Sequence, residues 1–229
     1  VSTIICGSTS LLLAVFFRGG NVSHRIASLW GWSILKLCGV SVSVRGGQNL
    51  EIGHPYVVAS NHQSLFDTPI LFAYLPVSFR ILYKRSLNWV PFLGWHLFMS
   101  GHVAVERDSP KKARKSLEHA AQRIRNGTSV VVFPEGTRSY DGTVKDFKKG
   151  SFRLAIEAGA SIVPVTIVDS HLVMKRGSVT VYPRNIQIWI DKPLFLTGYT
   201  EAQVSELMQE VRGVIIRNLS KGRDLQAQE

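Results

Sequence analysis

The 229-residue sequence has only two cysteines, Cys6 and Cys38, each in an apolar stretch with no second metal-type ligand at suitable spacing. A structural zinc site takes four well-spaced ligands and a disulfide scaffold takes several pairs, so neither frames this fold. So few cysteines fit a reducing compartment. Charge is scarce as well: charged residues make up 19% of the chain, against about 25% in soluble domains generally. Acidic residues are scarcest, 16 against 27 Lys and Arg, which leaves a net charge of +11. No nucleophile elbow, Walker loop, GxGxxG or HExxH is present, so covalent serine, P-loop, dinucleotide and zincin chemistries have no motif behind them. The apolar run at 3–17 ends at Arg18 and falls short of the roughly 20 residues of a bilayer span.

What the sequence does have is apolar mass. Hydrophobic residues make up 45% of the chain, too many for a charge-solvated coil. At 25.5 kDa, one domain with a full core is expected. The basic excess is uneven: residues 1–60 carry 4 basic and 1 acidic side chains, 61–150 carry 14 and 7, and 151–229 carry 9 and 8. A basic middle implies an anionic partner, whether nucleic acid, an anionic membrane surface or a phosphorylated ligand.

Between 26 and 40, Ile26, Leu29, Trp30, Ile34, Leu37 and Cys38 recur at helical spacing, with Trp30 and Trp32 as interfacial anchors. Together with 3–17, this predicts a two-helix arm that inserts into or lies on one leaflet. Arg18, His24 and Arg25 would then sit among anionic headgroups. Two ordinary core helices are the alternative.

From residue 40 the pattern turns to short β-branched runs alternating with helices. Strands are expected at 40–44, 56–60, 79–83, 103–105, 129–133 and 162–168, with a late pair at 179–182 and 186–190 joined around Pro183. The run at 129–133 is continuous rather than alternating, as in a strand buried on both faces. Ser109-Pro110 predicts a helix start, with Ala113, Leu117, Ala120, Ala121 and Ile124 inward and Gly127 beyond its end. Its first turns carry Lys111, Lys112, Arg114 and Lys115, where the helix dipole disfavours cations. Headgroups, coenzyme A phosphates or an acidic carrier protein would each relieve that cost, and a solvated basic face is the simpler reading. Thr200 with Gln203 forms a capping box for a last helix burying Val204, Leu207, Val211, Val214 and Ile215. The polar residues 220–229 are expected to fray. The expected fold class is α/β: a single domain with a mixed, largely parallel sheet flanked by helices. It spans 40–219, behind a membrane-associated helical arm at 1–39 and ahead of a disordered tail at 220–229.

Two motifs end strands, where α/β folds place their sites. Asn61-His62-Gln63-Ser64-Leu65-Phe66-Asp67 follows the strand 56–60, and Thr68-Pro69 marks a helix start. The His-x4-Asp stretch therefore lies in a turn, where Asp67 can fold back on His62 Nδ1 and leave Nε2 to take a proton. A structural histidine at a strand end is the competing reading. Phe133-Pro134-Glu135-Gly136-Thr137-Arg138-Ser139 follows the strand 129–133. Gly136 admits a backbone conformation closed to other residues. Thr137, Arg138 and Ser139 offer hydroxyls and a guanidinium fork suited to phosphate. An ion pair of Glu135 with Arg138 is the alternative there.

Taken together these residues resemble the glycerolipid acyltransferase family, most closely its 1-acylglycerol-3-phosphate acyltransferases. NHQSLFD is similar to the family's first block and FPEGTRS to its third. Lys84-Arg85-Ser86-Leu87 through Pro91 and Gly94, continued by 101–107, resembles the second, and Val163-Pro164-Val165-Thr166 the fourth. Ser86 stands where the second block commonly has an acid, and Ala104 where it has an aromatic. The resemblance implies that His62 is the general base on the acceptor hydroxyl and that Asp67 orients it. It further implies that Lys84 and Arg138, with Arg107 as a weaker candidate, hold the acceptor phosphate. Glu135, Gly136 and Thr137 would shape the acceptor loop. The implied partners are lysophosphatidic acid, an acyl-CoA or acyl carrier protein donor, and an anionic bilayer at the cytoplasmic face of the cell membrane. Neither a metal nor a redox cofactor is expected, because the thioester is already activated. Glycerol-3-phosphate, dihydroxyacetone phosphate or another lysophospholipid would make alternative acceptors. A nucleic-acid-binding module has no zinc-finger or RNA-recognition signature behind it, and a non-catalytic membrane adaptor would leave the His62–Asp67 pair dispensable.

Overall fold

The structure, a computed structural model, describes residues 21–90, 93–106, 109–175, 177–178 and 180–228. The first arm segment, 3–17, and Arg107 lie outside the described residues. Seven strands form one sheet in the order β1-β7-β6-β2-β5-β3-β4. They are β1 (Ser41–Arg45), β2 (Tyr56–Ser60), β3 (Phe79–Lys84), β4 (Val103–Val105), β5 (Ser129–Val132), β6 (Ser161–Val168) and β7 (Asn185–Ile190). Only β6–β7 is antiparallel; the other ladders are parallel. The expected mixed, largely parallel sheet is thus the observed one.

Helices cover both faces, which is why the central strands read as continuous apolar runs. Every residue of β2, β5 and β6 is buried. On one face Val57, Val130, Val132 and Ile162 pack with α4 (Pro110–Arg125), α5 (Gly150–Ala158) and α6 (Val204–Gln226). On the other, Val58, Val131, Val163 and Val165 pack with α1 (Asn21–Leu37) and α2 (Asp67–Tyr74). A short helix, α3 (Leu93–Met99), follows β3. Ser109 takes the position before α4 with extended backbone, but its hydroxyl makes no capping hydrogen bond. The capping box of Thr200 and Gln203 forms as expected.

Two expectations fail, each because of a distant contact. The late pair does not form: β7 lies between β1 and β6, and residues 180–184 run as a connector whose Tyr182 N–H donates to Val173 O at 2.8 Å. With both edges of β7 occupied, no ladder position is left for that segment. Nor does the tail fray from 220, because α6 continues to Gln226. Gly222 lets the helix close on β6, where a Cβ would come within 2.6 Å of Val168 Cγ2. The next residue, Arg223, binds Asp169 Oδ1 through Nε at 2.8 Å and Gly142 O at 2.8 Å.

The helix expected over 26–40 is present as α1, with Ala27 and Leu35 buried against α2 and the sheet. Leu29, Trp32 and Leu37 face outward, and Lys36 Nζ stands 4.8 Å from the Trp32 ring centroid. No described helix is long and apolar enough to cross a membrane.

At the buried end of α1, His24 meets Phe79 edge-on at 4.9 Å and Phe72 at 5.6 Å. Burial, reinforced by Arg80, lowers its pKa to about 4. The unfolded chain therefore binds the proton first as pH falls through 6.5, and stability declines until the folded state titrates near 4. The His24 share of this loss is about 3 kcal/mol at 1.36 kcal/mol per unit. We expect His24→Phe to flatten the pH dependence of the urea midpoint by that share; an unchanged slope between pH 6.5 and 4 would rule the assignment out.

Candidate active site

β2, β5 and β3 are neighbours and parallel, so the segments leaving them emerge at one edge of the sheet. Asn61, the first residue past β2, extends the ladder with its side chain. Its Oδ1 accepts Ile167 N–H at 2.8 Å and its Nδ2 donates to Ile167 O at 2.9 Å. The chain is pinned immediately before His62.

The turn then folds back as the sequence predicts. His62 Nδ1 lies 2.8 Å from Asp67 Oδ2, with the histidine side chain 20% exposed and the aspartate fully buried. The same oxygen accepts the Gln63 and Ser64 N–H groups at 2.7 and 2.9 Å, and Oδ1 accepts the Ser170 hydroxyl. Helix α2 begins at Asp67 itself, where the positive end of the dipole favours a carboxylate. The Asp67 carboxylate, surrounded by donors, accepts a hydrogen bond from Nδ1–H, which leaves Nε2 as the basic nitrogen of the ring. The ring is held flat against Phe133, centroids 4.1 Å apart and planes 20° from parallel.

Phe133 begins the second motif, and the two motifs are riveted together. Glu135 is buried and its carboxylate accepts His62 N–H at 2.7 Å through Oε1 and Lys145 N–H at 3.0 Å through Oε2. Ser139 N–H donates to His62 O at 2.8 Å. Burial pushes the Glu135 pKa up, opposed by those two backbone donors. Both Glu135 oxygens are therefore engaged with backbone, and its part in shaping the loop is to hold the motifs in register. Gly136 turns the chain at φ +72°, and a Cβ there would lie 3.0 Å from Lys148 Cε. Only glycine suits both the dihedral and the crossing lysine stem.

Arg138 is half-buried and Thr137 exposed on this loop. Lys145 Nζ reaches back to Arg138 O at 3.1 Å. Lys84 is the exposed last residue of β3, three positions past the Ile81↔Val131 pairing. That register sets it at the edge from which the FPEGTRS loop emerges. The structure thus brings His62, Asp67, Glu135 and Gly136 into one bonded unit, with Thr137 and Arg138 on its rim and Lys84 one strand away. Ser170 and the ladder role of Asn61 were missed in the sequence. Asn61 adjoins His62 and could have been noticed; Ser170 lies 103 positions from its partner and carries no local signal.

A seven-stranded mixed sheet with a His–Asp pair and a glycine-turned cationic loop at one edge matches a known class. The Acyltransferase family model matches residues 41–168, and the chain belongs to that family. Among its relatives is the 1-acyl-sn-glycerol-3-phosphate acyltransferase of Saccharomyces cerevisiae, 33% identical over 94% of this chain and 72% of the relative. Another is the chloroplastic 1-acyl-sn-glycerol-3-phosphate acyltransferase LPAT1 of Arabidopsis thaliana, 35% identical over 75% of this chain. The match covers 48% of that plant relative, so this chain spans about half its length. The crystal structure of the 1-acyl-sn-glycerophosphate (LPA) acyltransferase PlsC from Thermotoga maritima superposes with a TM-score of 0.81 at 26% identity, over 95% of this chain and 88% of that one.

Proposed function

We propose that the chain transfers an acyl group from an acyl thioester to the sn-2 hydroxyl of 1-acylglycerol-3-phosphate, forming phosphatidic acid. The observation that carries this reading is the 2.8 Å contact of His62 Nδ1 with a buried Asp67, fastened through Glu135 to the loop bearing Arg138. The names of the relatives supply the substrate class.

His62 Nε2 takes the proton of the acceptor hydroxyl as its oxygen attacks the thioester carbonyl. The C–O bond forms, the tetrahedral intermediate collapses, and the C–S bond breaks. The imidazolium returns its proton to the leaving sulfur, so a free thiol departs. Asp67 stabilises the imidazolium meanwhile. The thioester is itself the activated species, so the reaction as proposed draws on no metal or redox cofactor. Lys84 and Arg138 hold the acceptor phosphate and so fix the hydroxyl next to the base. The exposed Leu29, Trp32 and Leu37 on α1, flanked by Arg25 and Lys36, rest on the anionic cytoplasmic leaflet where such an acceptor resides.

Arg138→Ala and Lys84→Ala test the phosphate role. A lost charge-assisted hydrogen bond, at about 1.5–3 kcal/mol, corresponds to a rise of roughly 10–100-fold in KM for lysophosphatidic acid. Steady-state rates in detergent with a panel of acceptors measure it. An unchanged acceptor KM in both variants would remove the assignment, and preference for glycerol-3-phosphate or another lysophospholipid would change the acceptor.

A further inference from the structure

One cleft lies away from the His–Asp pair, between α4 and the β3–β4 edge, with a volume of about 850 Å³. That size falls within the roughly 300–1,000 Å³ of small-molecule sites. One wall is a face of α4: Lys112, Lys115, His119 and Arg123 recur at steps of three and four residues, with Ser116 beside them. Opposite stand the rings of Tyr83 and Phe98. The Tyr83 hydroxyl is held by Asn88 Oδ1 at 2.7 Å, and Phe98 is among the exposed large hydrophobic residues.

The polar groups of this cleft are poorly matched to one another. Its two carboxylates are already engaged, Glu106 with Arg85 at 3.8 Å and Glu118 with Arg114 at 3.1 Å. Lys112, Lys115 and Arg123 have no ion pair among the described residues. Behind them Arg80 is only 7% exposed; its Nη1 donates to Phe79 O at 2.8 Å, and Arg123 donates to Gly101 O. His102, 9% exposed, accepts Ile81 N–H on Nδ1 at 2.9 Å. Its proton therefore sits on Nε2, and burial next to Arg80 keeps the ring neutral. The floor and the basic wall thus present donors: Lys112 and Lys115 in the first turns of a 16-residue helix, where its dipole favours an anion, and Arg123 in its last turn.

We propose that this cleft binds the phosphorylated adenosine of a coenzyme A thioester, with the base against Tyr83 and Phe98 and the phosphates on Lys112, Lys115 and Arg123. The inference rests on the acyl-transfer reading and adds to it the identity of the donor. Aromatic rings on one side and unmatched cations on the other suit a nucleotide phosphate; a bare phosphate would leave the rings unused. The cleft adjoins Arg85, next in sequence to Lys84. With β4 three strand positions from β2, the lateral distance to the base is about 14 Å, a gap that the flexible thiol-bearing arm of such a donor can bridge. An acyl carrier protein would bring the same arm without the nucleotide.

The test uses the full chain in detergent with adenosine 3′,5′-bisphosphate as the probe. Calorimetric binding is expected, together with competitive inhibition against acyl-CoA, and adenosine alone should not compete. Lys112→Ala/Lys115→Ala, at exposed positions, is expected to raise the probe Kd and the acyl-CoA KM at least about tenfold, the scale of one lost charge-assisted contact. kcat at saturating donor and the KM for an acyl-pantetheine thioester should stay as in the parent. No binding of the bisphosphate, or an unchanged Kd in the double variant, overturns the proposal. So does an equal rise in the acyl-pantetheine KM, or turnover confined to acyl carrier protein. Binding that is lost in the double variant, in a protein that does not acylate lysophosphatidic acid, would uphold the cleft and reject the acceptor reading alone.

Discussion

His62→Ala is expected to lower kcat by about 10²–10⁴-fold, the usual contribution of a positioned general base. The acceptor KM should move little, because the proposed phosphate contacts are Lys84 and Arg138, neither of which depends on the imidazole. Stability should change modestly as well: Asp67 keeps its bonds from Gln63 N–H, Ser64 N–H and the Ser170 hydroxyl, and Glu135 still accepts the backbone N–H of residue 62. Single-turnover and steady-state rates on the purified variant measure the effect. A variant that turns over within threefold of the parent would require another base.

Asp67→Asn is expected to cost nearly as much in rate, about 10³–10⁴-fold, because the imidazolium loses its counter-charge and its tautomer is no longer enforced. It is also expected to cost stability. The carboxylate accepts from four donors, whereas an amide must turn its NH2 toward some of them. Only the Ser170 hydroxyl and, in its other tautomer, His62 Nδ1 can reverse their roles and accept; the two backbone N–H groups cannot. Roughly 1–3 kcal/mol is the penalty for a buried donor left unmatched. The two readouts separate two roles for this residue. A lower urea midpoint with kcat preserved would make Asp67 only a cap of α2 and its turn.

Why the dyad was legible in the sequence and Ser170 was not is a matter of range. His62 and Asp67 sit in one turn after an apolar strand, so spacing and the Pro69 signal suffice to place them together. The parallel sheet follows from runs such as 56–60 and 129–133, whose lack of alternation reflects burial on both faces. The capping box at Thr200 is equally local. Segment 179–182 has the composition of a strand, yet its described residues form no ladder, because its expected neighbour pairs with β1 and β6 instead. Residues 220–226 look frayed by polarity, yet Gly222 and Arg223 anchor them to β6 and Asp169. The sequence suggests a loop-shaping Glu135, with an ion pair to Arg138 as the alternative, but not its partners, which are backbone N–H groups 73 and 10 residues away. In each case the missing information was a contact across the fold.

The pairing of β1 with β7 also bears on how the protein is made. Ser41 faces Asn185, a separation of 144 residues, and β1 stands at the edge of the sheet with no other neighbour. On a translating ribosome, at about 5–20 residues per second, that ladder cannot close for on the order of ten seconds after β1 emerges. Arg223, which reaches Gly142 beside the reactive turn, comes later still. Throughout that interval an open strand edge is uncovered, the exposure that seeds aggregation. A nascent chain stalled before residue 190 is therefore a ready substrate for chaperones.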